Sequence, residues 1–157
     1  VKFFFIFIVL SINIMGKSFE GYWLIPSGKT IIHITQENKE FSGHVVWLKD
    51  PLYPKRDPME SEIQIDRRNP DPLLRNRKVM GLKVVGNMKL DSKNSNILKD
   101  GWVYDSWNGK KYYGKAVLSE PDILKLKGSL DPWGIFGYSQ KCTRIVSPEK
   151  YGLPLLK

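Results

Sequence analysis

The sequence predicts an all-β protein: a single antiparallel up-and-down β-barrel, interrupted once by a proline-rich strap loop. Three observations carry that expectation. Eight or nine short segments alternate apolar and polar residues with period two, most of them are joined by tight turns, and no stretch holds a helical period long enough for a stable helix. A sheet of that many strands exposes unpaired edges unless it closes on itself, and an up-and-down barrel removes them. A β-sandwich is the other arrangement these strands permit.

The elements follow in order. Phe19 to Ile25 reads as a first strand, and Pro26-Ser27-Gly28-Lys29 supplies turn chemistry before a partner over Thr30 to Thr35. Glu37-Asn38-Lys39 turns into 41-FSGHVVWL-48, where alternation puts Phe41, Val45 and Trp47 on one face, and Gly43 marks a bend or close backbone approach. Rhythm resumes at Gly81 to Val85 and continues, bent at Gly86, to Leu90; 91-DSKNSN-96 is a loop. Ile97 to Lys99 leads through Asp100-Gly101 into 102-WVYDSW-107, and Asn108-Gly109 is the strongest hairpin signal in the chain, with its partner over Lys110 to Leu118. The last two strands are 123-ILKLKG-128 and about Gly137 to Val146. The tail 147-SPEKYGLPLLK-157 shows no period and is expected to be loosely ordered.

Residues 49–80 break this rhythm with five prolines (Pro51, Pro54, Pro58, Pro70, Pro72), and only Glu62 to Ile65 looks strand-like there. Asp71-Pro72 is an N-cap followed by proline at the first helical position, which predicts one short helical turn. Within 69-NPDPLLRNRKVMG-81, Arg75 or Arg77 can bridge to Asp66 or Asp105, while Asn69 and Asp71 bond nearby amides. The plainer expectation is a rigid strap that plugs one barrel opening. The sharper one is an anion site at the barrel mouth made by Arg75 and Arg77 with Tyr112 or Trp47, since loops on rigid scaffolds concentrate binding residues.

A chain of 157 residues with 25 cations against 16 acids, net +9, has room for one domain. The excess charge suggests anionic partners, but cations and acids are mixed through 49–78, as on an ordinary solvated surface. Lys2 precedes an apolar run from Phe3 that is broken at Ser11 and Asn13 and ends at Gly16-Lys17, the order of a signal peptide over 1–16 rather than a span of about 20 apolar residues. The expected organisation is therefore a signal over 1–16, a barrel over 17–146 and the tail. Such a protein is exported, periplasmic or secreted, without stable membrane insertion after cleavage. One cysteine, Cys142, leaves no internal disulfide framework.

Chemistry is sparse. Gly28-Lys29-Thr30 ends like a phosphate-binding loop, yet Trp23 stands where that motif needs glycine. His33 and His44 fall on neighbouring strands without further ligands, so no metal and no cofactor is expected. Asp66 and Asp105 are the candidate carboxylates for a hydrolase, though spacing does not bring them together. Core packing accounts for about half of the tryptophans and tyrosines, which include Trp47, Trp102, Tyr104 and Tyr112, and the remainder with a few cations favour a pocket for a flat or amphiphilic anion over a nucleic acid, a partner that export disfavours.

The segments 21-GYW-23, 43-GHVVWL-48, Asp66 with 69-NPDPLLRNR-77 and Gly81, 102-WVYDSWNGKKYY-113 and 137-GYSQKCTR-144 occur in this order over nearly the whole expected mature chain. Together they resemble bacterial domain of unknown function family 2147 (DUF2147). The resemblance implies an exported calycin or lipocalin-like barrel, with Trp23 packed under Arg144 to close its base, and a tryptophan is usual in that family where Cys142 stands. The expected function is binding of a small amphiphilic or anionic ligand, or an envelope-associated role, with Trp47, Asp66, Asn69, Arg75, Arg77, Asp105 and Tyr112 as candidate ligand contacts. A hydrolase using Asp66 and Asp105, and a structural interaction module with a filled barrel, remain open alternatives.

Overall fold

The computed structural model describes residues 18–156, so the expected signal segment 1–16 lies outside the described residues. Eight strands run β1 Gly21–Leu24, β2 Thr30–Glu37, β3 Glu40–Leu48, β4 Lys83–Leu90, β5 Ile97–Asp105, β6 Lys110–Glu120, β7 Ile123–Ser129 and β8 Gly137–Arg144. Each pairs antiparallel with its sequence neighbours, and β1 pairs with β8, which closes the barrel. Among the described residues no sheet edge is left open, so the closed arrangement is adopted and not the sandwich. The segment 62–65 makes only the isolated bridges Leu52 to Ile63 and Ile65 to Lys78.

The two ends of the barrel differ. At the end where the chain enters at Phe19, alternate residues from the strands meet in a packed core that includes Trp23, Phe41, Met88, Leu98, Leu118, Leu124 and Cys142. Burying each such leucine contributes roughly 1.5–3 kcal/mol. Trp23 is fully buried and donates its indole N–H to the Phe19 carbonyl at 2.9 Å, while Phe19 meets Phe41 edge to face at 5.7 Å. Arg144 lies over the Trp23 indole at 4.2 Å and donates to three backbone carbonyls, those of Glu20 and Pro121 at 2.9 Å and Ser18 at 2.5 Å. Gly21 makes room for it: with φ at +134°, a Cβ there would sit 2.6 Å from the Arg144 Nη1. The short Gly-x-Trp motif is thus a seat for the guanidinium as much as a strand.

Irregularities redirect particular side chains. The β2–β3 register shifts between Ile31 and Ile32, so that Ile32 faces Val45 while Ile31 faces Trp47, and Val46 becomes an extra residue. Strict alternation from Phe41 and Val45 would send Trp47 inward; the bulge instead leaves Leu48 packed against the core and places Trp47 beside Tyr151, rings edge to face at 5.1 Å. In β5 the Asp100-Gly101 pair is a bulge inside one continuous strand, with Asp100 at φ 60°. Gly86 opposes Trp102, whose indole would collide with any Cβ at that position. The tail carries a 3-10 turn over Pro148–Tyr151, closed by Gly152 in the left-handed conformation, so its first half has more structure than its composition suggests.

Residues 49–82 fold as a strap between β3 and β4. Asp71 caps a 3-10 turn at Pro72–Leu74 by accepting from the Leu73 amide at 2.9 Å, as its sequence predicts. Arg67 pairs with Asp57 through two bonds of 2.7 Å and stacks over Tyr53 at 4.2 Å. Tyr53, Gln64 and Asn69 are buried, and the Gln64 amide donates to the Asp50 carbonyl at 2.7 Å. The strap therefore has its own small interior.

Candidate functional site

The β1–β2, β5–β6 and β7–β8 connections ring the end of the barrel opposite Trp23, and between them the interior opens as a cavity of about 780 Å³. Its floor is Ile32, Val45, Val85 and Leu126, the upper surface of the packed core, and its wall includes Val103, Gly128 and Gln140. Around the mouth stand Ser27, Thr30, Asp105, Asn108, Tyr112, Phe136 and Tyr138. Among the described residues, no side chain fills this end of the barrel. The volume falls within the range of about 300–1,000 Å³ usual for small-molecule sites.

The polarity of this cup is one-sided. Asp105 is the one carboxylate in its lining, and among the described residues no arginine or lysine lines it. The Asp105 carboxylate accepts from the Trp107 amide at 2.8 Å, its carbonyl accepts from Gly109 at 2.8 Å, and Asn108 donates to the Tyr112 hydroxyl at 2.9 Å. These bonds make 106–109 a four-residue turn rather than the two-residue hairpin that Asn108-Gly109 predicts. They also hold Asp105, Asn108 and Tyr112 at fixed points on the rim, above an apolar floor.

The remaining expected contacts lie elsewhere. Asp66 is fully buried beneath the strap, where it accepts from the Tyr104 hydroxyl at 2.6 Å, the Asn69 amide at 2.8 Å and the Arg77 guanidinium at 2.7 Å. Burial first, and then the hydrogen bond to Asp66, push the Tyr104 hydroxyl up to about 12. Arg75 donates to the Asn69 carbonyl at 2.8 Å and stabilises the turn it belongs to. Trp47 packs on Tyr151 as described. Of the seven expected ligand contacts, Asp105 and Tyr112 line the cup, whereas Trp47, Asp66, Asn69, Arg75 and Arg77 do not.

Two expectations are corrected here. The strap does not plug the opening: none of the cavity-lining residues comes from 49–82, because the strap anchors sideways to the Tyr104 hydroxyl and, through Arg68 at 2.7 Å, to the Trp107 carbonyl. Nor do Asp66 and Asp105 form a carboxylate pair. Asp66 is fully buried with Tyr104, Asn69 and Arg77 as its partners and does not line the cup, whereas Asp105 lines it and accepts from the Trp107 amide. His33 and His44 are cross-strand partners; burial lowers the pKa of each, for His33 with a further push from His44 and for His44 from Lys83.

Sequence reasoning missed most of the cup. Ile32, Val45, Val85 and Leu126 stand in the alternating segments, but nothing in their spacing separates a cavity floor from a filled core. The apolar residues Leu130, Trp133, Ile135 and Phe136 did carry a signal, since they stand in a connection where no strand alternation accounts for them.

An eight-stranded up-and-down barrel with a sealed base and an open, apolar cup is a lipocalin-like calycin architecture. A family model described as an uncharacterized protein conserved in bacteria (DUF2147) matches residues 21–144, and the chain belongs to that family. Protein HP1028 from Helicobacter pylori, whose structure is described as belonging to the lipocalin family, superposes with a TM-score of 0.72 over 89% of this chain and 92% of its own at 20% identity, a likeness of fold. No curated protein matches the chain.

Proposed function

We propose that this protein is a carrier or scavenger that takes one small apolar or amphiphilic molecule into its cup, with the polar end of the ligand at Asp105, Asn108 and Tyr112. The observation that carries this reading is the preformed cavity of about 780 Å³ above the Trp23 core, apolar at its floor and polar at its rim. Of the two ligand types the sequence suggested, amphiphilic and anionic, the lining favours the first. An anion would meet the Asp105 carboxylate without a lysine or arginine to offset it, whereas a neutral or cationic head is accommodated.

Hydrolysis has no comparable support. Asp66 has its three donors and is not among the residues lining the cup, and Asp105 already accepts from a backbone amide. An extracytoplasmic site of action is part of the proposal and rests on the charged-then-apolar order of residues 1–16. Fractionation of the producing cell tests that part.

Titration with N-phenyl-1-naphthylamine, a neutral apolar fluorophore, tests the binding reading. One probe per chain, displaced by a long-chain alcohol more readily than by the corresponding carboxylate, is the expected result. Absence of saturable binding by probe and alcohol alike would remove it.

A further inference from the structure

The outer face of β6, β7 and β8 carries a ladder of like charges. Lys115 stands directly opposite Lys127, and Lys125 directly opposite Lys141, an arrangement that costs stability in a sheet. Among the described residues, none of these four lysines has a carboxylate within ion-pair distance; the ion pairs involve other cations. A destabilising arrangement of this kind is compensated when an anionic surface covers it.

At the mouth end of the same face, the β7–β8 connection presents large apolar side chains to solvent. Trp133 is 82% exposed, Ile135 72%, Phe136 69% and Tyr138 70%. The turn that presents them is ordered: the Asp131 carboxylate accepts from the amides of Ile135 at 3.0 Å and Phe136 at 2.7 Å, and the Lys127 ammonium donates to the Gly134 carbonyl. Phe136 and Tyr138 also line the cup, so the apolar patch runs from the outside into the cavity.

We propose that this edge of the cup docks on an anionic lipid bilayer, with Trp133, Ile135 and Phe136 seated at the boundary of headgroups and acyl chains and the lysine ladder over anionic headgroups. Indole and phenyl groups favour that boundary, and each lysine near an anionic surface strengthens binding by about fivefold. A soluble polyanion would engage the lysines but leave the exposed apolar turn without a role. Docking in this orientation points the mouth at the membrane, so that an apolar ligand passes between acyl phase and cup without crossing water. That consequence rests on the proposed function, while the docking itself does not.

The test reads which end of the barrel meets lipid. Cys142 is fully buried and burial pushes its thiol up to about 12, so an Ile135→Cys or Ser95→Cys variant of the full chain takes a nitrobenzoxadiazole label at the introduced site alone. Ser95 lies between β4 and β5, at the Trp23 end. With phosphatidylglycerol vesicles the label at 135 is expected to shift to the blue and brighten severalfold while the label at 95 stays in water, and phosphatidylcholine vesicles are expected to bind more weakly. Lys125→Glu with Lys141→Glu is expected to weaken phosphatidylglycerol binding by about tenfold or more. A label at 135 that stays in water, a label at 95 that enters lipid, unchanged affinity after the charge reversal, or binding to heparin in place of vesicles would each overturn the proposal. Probe binding without vesicles is read separately, so a cup that fails to bind leaves this result standing.

Discussion

Trp23 and Arg144 are Cα partners across the β1–β8 seam, with the guanidinium carbon 4.2 Å from the indole centroid. Because that guanidinium also holds the carbonyls of Ser18, Glu20 and Pro121, one side chain ties the entering chain, the last strand and the β6–β7 turn together. Arg144→Ala is expected to cost roughly 3 kcal/mol, from lost cation–π stacking and unpaired carbonyls. Arg144→Lys should recover only part of this, since one ammonium cannot match the planar fork. Urea unfolding of the two variants and of Gly21→Ala, which pushes a Cβ into the guanidinium, measures the effect.

Asp66 needs all three of its donors. Tyr104→Phe removes one from a fully buried carboxylate and is expected to destabilise by about 1–3 kcal/mol, with Asp66→Asn in the same direction. Naphthylamine affinity should stay within about twofold in Asp66→Asn, because neither Asp66 nor Asn69 lines the cup. Thermal melts paired with probe titrations separate this architectural role from a binding one.

Asp57 sets part of the acid limit of stability. Two bonds from Arg67, then the Met59 amide, hold its carboxyl at about 2 in the fold, against an ordinary value of 3.8. A depressed folded-state pKa means that this contribution is present above pH 3.8 and disappears as pH falls from there to about 2. Asp57→Asn should therefore lower stability at neutral pH and flatten the loss between those limits, as read by urea midpoints across the acid range.

Trp47→Ala tests the β2–β3 bulge. The half-buried indole packs on Tyr151, so its loss should cost about 1–2 kcal/mol and loosen the tail. Probe affinity should be unchanged. Limited proteolysis within 147–157 reads the loosening, and weakened probe binding would place Trp47 in the cup after all.

The sequence made the barrel and its base legible and left the site largely hidden, for identifiable reasons. Alternation and the Asn108-Gly109 turn are local signals, and the pairing of Trp23 with Arg144 is what the family resemblance implied. Trp47 escaped because one inserted residue, Val46, reverses the parity on which any inward assignment depends. Arg77 and Asp66 were correctly offered to each other, yet which side of the barrel the strap takes depends on where the Tyr104 hydroxyl points, and no local pattern states that. The cup itself is a volume left over by many side chains and has no motif.

Val103 projects into that volume, partly buried at the wall of the cup, so a larger residue there occupies space the ligand would use without displacing the Trp23 core. Probe titration of Val103→Trp beside the parent protein, with melting temperatures of both, is the most direct trial of an open apolar cup. The cup predicts that binding falls by tenfold or more, an order-of-magnitude loss of about 1.4 kcal/mol, while the melting temperature holds or rises. Full naphthylamine binding in a folded Val103→Trp protein would place the ligand somewhere else and contradict the account.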